Sequence, residues 1–79
     1  MTIQEELRII FRNGERVTNK RLKMTLQHLY NQHEIKSNAK ATDIRLFGFT
    51  AKRVVVREDG KKIEGMEICY ANSNLNSSW

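Results

Sequence analysis

The 79-residue chain has no proline, only four glycines and a single cysteine. So little proline and glycine, with hydrophobic residues at 39%, is the composition of a compact folded domain and excludes a low-complexity chain. Cys69 alone cannot close an internal disulfide, and no N-terminal apolar run resembles a signal peptide or a membrane span. Those absences point to a cytoplasmic protein with no membrane partner. The length allows one domain with one modest core, and is too short for a conventional enzyme with a substrate-sized cleft.

The residue patterns of catalysis are missing as well. His28 and His33 fall on different faces of a helix, and neither a second cysteine nor a carboxylate cluster completes a metal set. Cys69 has no base that can be named beside it, which favours an inert thiol over a nucleophile. There is no glycine-rich phosphate loop, no serine elbow and no pair of carboxylates at a useful spacing. The expectation is a non-enzymatic module without a cofactor.

What the chain does have is positive charge in one place. Lys and Arg number 14 against 9 Asp and Glu, a formal net charge of +5, which favours a polyanionic partner. Residues 1–35 hold six basic and four acidic residues, residues 36–62 eight and three, and residues 63–79 none and two. The excess therefore sits in the middle third, whereas a merely solvated surface tends to spread it.

Caps and stripes divide the chain. Thr2-Ile3-Gln4-Glu5 fits a capping box opening a helix over 3–13, with Ile3, Leu7, Ile10 and Phe11 as its apolar stripe and Asn13-Gly14 as its stop. Ile9 falls outside that stripe, as a lone exposed residue or a dimer contact. Glu15-Arg16-Val17 reads as a short edge strand. Thr18 caps a second helix over 19–33, with Val17 and Leu22 in staple positions and a stripe of Leu22, Leu26, Leu29, Tyr30 and His33. A polar turn over 34–38 leads to a short third helix over 39–47, capped by Ser37 or Asn38 and stopped by Gly48. Ala41, Ile44 and Phe47 point inward there, and Lys40, Asp43 and Arg45 stay in solvent.

Residues 50–70 read as a hairpin. A three-residue Glu58-Asp59-Gly60 loop places Val54, Val56, Met66 and Ile68 together on a core face, and leaves Arg53, Val55, Arg57, Lys61 and Ile63 on the other. A two-residue Asp-Gly turn splits that apolar set, so the longer loop is expected. Residues 1–70 then form one domain, and 71–79, "ANSNLNSSW", a polar tail ending in Trp79.

This α+β order of helix, short strand, helix, short helix and two-stranded hairpin resembles the winged helix-turn-helix fold: three helices, a short edge strand and a C-terminal β-hairpin wing. Lys40-Ala41-Thr42-Asp43, Lys52-Arg53 and Gly65-Met66-Glu67-Ile68 look like the motifs of the small winged-helix domains that close phage, plasmid and mobile-element primase-helicases and replication initiators. The resemblance covers residues 17–70. It implies DNA binding in replication or regulation of a mobile element, beside a larger replication protein, by a monomer or weak homodimer. Those relatives hang on an ATPase, whereas this sequence opens on a methionine and a capped helix.

The residues supply candidates of their own. Lys36, Asn38 and Lys40 surround the start of the third helix, where free amides favour a phosphate. Arg45 is the best candidate to bond a guanine edge with its two-pronged fork. Lys52, Arg53, Arg57, Lys61 and Lys62 on the wing suit the flanking backbone. The rival is a protein-docking module that uses Val55, Ile63 or Ile9.

Overall fold

The computed structural model describes residues 1–71; Trp79 and the tail after Ala71 lie outside the described residues. The elements are α1 (Ile3–Ile10), β1 (Glu15–Thr18), α2 (Asn19–Gln32), a 3₁₀ helix (Ala41–Phe47), β2 (Phe49–Glu58) and β3 (Lys61–Tyr70). Three helical segments pack with one antiparallel sheet of order β1-β3-β2. Leu7, Phe11, Leu22, Leu26, Ile44 and Ile68 are fully buried and anchor the core. Each such side chain contributes about 2 kcal/mol of burial.

The capping box forms as expected: the Glu5 amide donates to Thr2 Oγ1 at 3.2 Å, and the Thr2 amide donates to Glu5 Oε1 at 3.0 Å. The Thr2 amide, and then the Thr2 hydroxyl, each donating to Glu5 Oε1 at 3.0 Å, hold the Glu5 carboxyl below its ordinary pKa. The helix itself stops three residues earlier than the sequence suggests. Phe11 is already extended (φ −116°, ψ 139°), so its ring reaches the core from strand-like backbone rather than from a helical stripe. Ile10 is consequently 41% exposed and Ile9 71%. Gly14, at φ 86°, makes the turn into β1 and donates to the Ile68 carbonyl at 2.7 Å.

In α2 the Thr18 hydroxyl accepts from the Arg21 amide at 3.2 Å, and Leu22, Leu26, Leu29 and Tyr30 are buried as their spacing predicts. His33 leaves the stripe: it is the exposed C-cap, with Nε2 2.6 Å from Glu6 Oε2, tying the end of α2 to α1. The helix closes by a Schellman arrangement in which the Ile35 amide donates to Tyr30 O at 2.8 Å and the Glu34 amide to Asn31 O at 3.2 Å. Glu34 occupies the left-handed position at φ 58°, where glycine is the unstrained choice.

The third helix is 3₁₀ rather than α. Ala41, Ile44 and Phe47 are spaced by three, the 3₁₀ period, so tightening the turn aligns them in one inward row. Its N-cap is Lys40 instead of Ser37 or Asn38, and Gly48 at φ 83° ends it as expected. Asp43, expected in solvent, is half-buried.

The hairpin register differs from the sequence expectation. Glu58 pairs with Lys61 across a two-residue Asp59-Gly60 turn, with φ 53° and 76°. Positive φ at both central positions is the type I′ geometry, whose twist matches that of the flanking strands. The apolar set is therefore split: Met66 and Ile68 share a face with Ala51, Arg53, Val55 and Arg57, while Val54 and Val56 share the opposite face with Ile63 and Lys61. The split is tolerated because the strands outrun the core. Ten extended residues span about 33 Å, against about 21 Å for the 14 residues of α2, so the helix cannot cover the hairpin along its whole length; Val54, Val56 and Ile63 are left half-buried, and Val56 and Glu58 line a groove with Lys20, Arg21 and Met24.

Gly65 makes the three-stranded part possible. A Cβ there would collide with the Val17 backbone carbonyl and lie 2.6 Å from a Val56 methyl. We expect Gly65→Ala to destabilise the fold by about 2 kcal/mol through forced displacement of β1, read as a lower urea midpoint. Conversely, Glu34→Gly relieves left-handed strain and raises stability by about 0.5–1 kcal/mol in the same measurement.

Candidate nucleic-acid interface

The loop from His33 to Lys40 carries the first group of candidate residues, and α2 holds it in place. The Gln27 side chain reads the loop backbone in both directions, accepting from the Ala39 amide at 2.8 Å and donating to the Ser37 carbonyl at 3.2 Å. Asp43 Oδ2 accepts from the Lys40 amide at 3.1 Å and from the Tyr30 hydroxyl at 3.0 Å. Burial, then the bond to Asp43 and its charge, pushes the Tyr30 hydroxyl above its ordinary pKa. The amides of Ala39 and Lys40 are thus already occupied. Any phosphate contact here falls to the exposed side chains of Lys36, Asn38 and Lys40.

Arg45 is exposed, yet one guanidinium nitrogen donates to the Ala51 carbonyl at 2.8 Å. That bond fastens the 3₁₀ helix to the outer strand of the sheet. Beside it Leu46 is 74% exposed.

The hairpin distributes its five candidate cations over two faces, and the faces differ in charge. Past the core, the face that continues Met66 and Ile68 carries Arg53, Arg57 and Lys62 against Glu64 alone. The opposite face carries Lys52 and Lys61 against Glu58 and Glu67, with Lys61 directly across from Glu58 and Lys52 across from Glu67. Over the hairpin strands alone one face is neutral and the other has a net charge of +2; β1 adds Arg16 to the first, across from Glu67. On the charged face Arg53 Nε lies 3.6 Å from Glu64 Oε1, both highly exposed, a pair of small energetic weight. Arg57 and Lys62 face each other across the strands, and neither pairs with an acid among the described residues. Like charges placed directly opposite destabilise a hairpin.

A further basic patch escaped the sequence reading. Lys20, Arg21 and Lys23 crowd the start of α2 with no acid in its first turn, against the favourable sense of the helix dipole. Lys20 and Arg21, with Arg16, edge an open groove of about 560 Å³ that Met24 and Val56 also line. Arg16 is paired with Glu67 at 3.0 Å and Arg21 with Glu15 at 3.8 Å, so much of this charge is answered locally. The dipole conflict in Asn19-Lys20-Arg21-Leu22-Lys23 was the available signal.

Among the described residues no helix is long and apolar enough to cross a membrane, and no three His, Cys, Asp or Glu side chains gather as a metal site. Comparisons with protein-family models, curated proteins and solved structures find no match.

Replacing Gln27 by Met keeps its length and removes both loop bonds, leaving the buried Ala39 amide unsatisfied. We expect the Ala39 and Lys40 amides to exchange with solvent about tenfold faster, the equivalent of roughly 1.4 kcal/mol, while α1 amides are unchanged.

Proposed function

We propose that this chain is a non-catalytic nucleic-acid-binding module of winged-helix type, with DNA as the favoured partner and the hairpin as its wing. The observation that carries the reading is the charged hairpin face: Arg53, Arg57 and Lys62 on a partly covered ribbon, answered only by Glu64. Arg57 and Lys62, which pair with no acid among the described residues, are suited to phosphate oxygens, and a bound phosphate relieves the repulsion between them. The element order and the β1-β3-β2 sheet are compatible with a winged helix. Lys36, Asn38 and Lys40 add a second contact at the loop that Gln27 holds. A role in replication or regulation of a phage or mobile element, beside a larger replication protein, rests on the resemblance of residues 17–70 alone.

One observation favours docking to a protein instead: Val55, 61% exposed, sits in the middle of the same face. The two readings separate by mutation. In fluorescence anisotropy with labelled DNA, Arg53→Ala with Arg57→Ala weakens binding by about tenfold or more at low salt, and the wild-type affinity falls steeply as salt rises. Undiminished binding by the double variant refutes the role of this face, and a surface that responds to Val55→Ser but not to the arginines supports docking.

A further inference from the structure

The charged face also bears on what is recognised, an inference that rests on the nucleic-acid reading above. We propose that the module binds the backbone of a duplex side-on, through the face of Arg53, Arg57 and Lys62, and reads no bases. Three features of the molecule lead there.

The first is the 3₁₀ helix, the element that a base-reading mode has to insert. Its seven residues rise about 14 Å in all, and its exposed side chains are Thr42, Arg45 and Leu46. Arg45 is the strongest base reader among them, and its guanidinium is engaged with the Ala51 carbonyl, where it acts as a strut between the helix and β2. Leu46 has no polar group with which to bond a base edge.

The second is the tip of the hairpin. A two-stranded ribbon fits a major groove, which is about 12 Å wide, but entering it tip-first brings Asp59, and Glu58 balanced by Lys61 across from it, between two rows of phosphates, with no net positive charge at the tip. Such a tip does not favour that approach. The flank beside it, with Arg57 directly across from Lys62, favours lying along a phosphate row.

The third is the use of the aromatic rings. Single strands are held by stacking unpaired bases on exposed rings. Phe11 and Phe49 are buried, and Tyr30 packs edge-on against Phe47 while its hydroxyl bonds Asp43. Tyr70 donates its hydroxyl to the Arg8 and Phe11 carbonyls. Every described Phe and Tyr ring packs in or against the core, Phe47 and Tyr70 with partial exposure, and none of them lies on the basic face among the described residues.

The test is anisotropy with two labelled duplexes of equal length and unrelated sequence, and with one strand of the first duplex alone, across a salt series. We expect the two duplexes to bind within about threefold of each other, since each base misread by a base-reading site costs 1–3 kcal/mol, and the single strand to bind about tenfold more weakly. In Arg57→Ala with Lys62→Ala, the slope of log affinity against log salt drops by about 1.8, the loss of two phosphate contacts. A preference beyond about thirtyfold for one duplex, or a single strand bound as tightly as the duplexes, overturns the backbone-only inference while leaving nucleic-acid binding standing. No binding to any of the three at low salt overturns the nucleic-acid reading itself.

Discussion

The structure depends on one close approach, where the backbone of β1 crosses Gly65 of β3. With no side chain at Gly65, the Val17 carbonyl and a Val56 methyl occupy the space that a Cβ requires. The contact lets a four-residue strand pair with β3 and then deliver Thr18 directly as the N-cap of α2. Val17 and Met66, paired at this crossing, are both buried, and α2 begins its apolar stripe five residues after Val17, at Leu22. Sheet and helix are thereby joined without a loop. The glycine in Gly65-Met66-Glu67-Ile68 has a steric explanation before any functional one is needed.

From that crossing outward the hairpin is only partly covered, with Val54, Val56 and Ile63 half-buried, and this explains why its register differs from the expected one. The expectation assumed that Val54, Val56, Met66 and Ile68 must be buried together, as they must in a strand covered along its whole length. Only the base of the sheet is fully covered. Beyond it, turn chemistry decides, and Asp-Gly in a type I′ turn outweighs the burial of two valines that reach only half-burial on their own face. Since the side-chain period is two, the one-residue change in loop length reassigned Lys61 and Ile63 relative to the arginines.

Elsewhere the sequence was legible wherever a cap or a stripe acted locally. The Thr2 capping box, the Thr18 cap, the buried leucines of α2 and the Gly48 stop all follow from short-range chemistry. Long-range contacts set the remainder. Phe11 ends α1 early because its ring is needed in the core, and Asp43 is drawn inward by Tyr30, thirteen residues before it. The 3₁₀ period of Ala41, Ile44 and Phe47 was present in the spacing and fits that helix better than the α form assigned to it. All nine candidate binding residues are exposed. Their grouping into a charged and a neutral hairpin face was not legible, because it follows from the register.

The unequal faces also bear on why the hairpin tolerates its own charge. A partly covered ribbon gains little from burial, so its stability comes from the turn, the ladder and cross-strand pairs. On the neutral face Glu58 opposite Lys61 adds an attraction, while Glu67, opposite Lys52, is paired with Arg16 at 3.0 Å. On the charged face Arg57 opposite Lys62 takes some of it back. At exposed positions each of these terms is a fraction of a kcal/mol and is screened by salt. The hairpin therefore carries its unanswered pair at small cost to the fold, since the turn and the buried base hold the register. In the proposed complex the same cations would meet far stronger fields beside a row of phosphates, so a pair nearly neutral for folding would dominate binding.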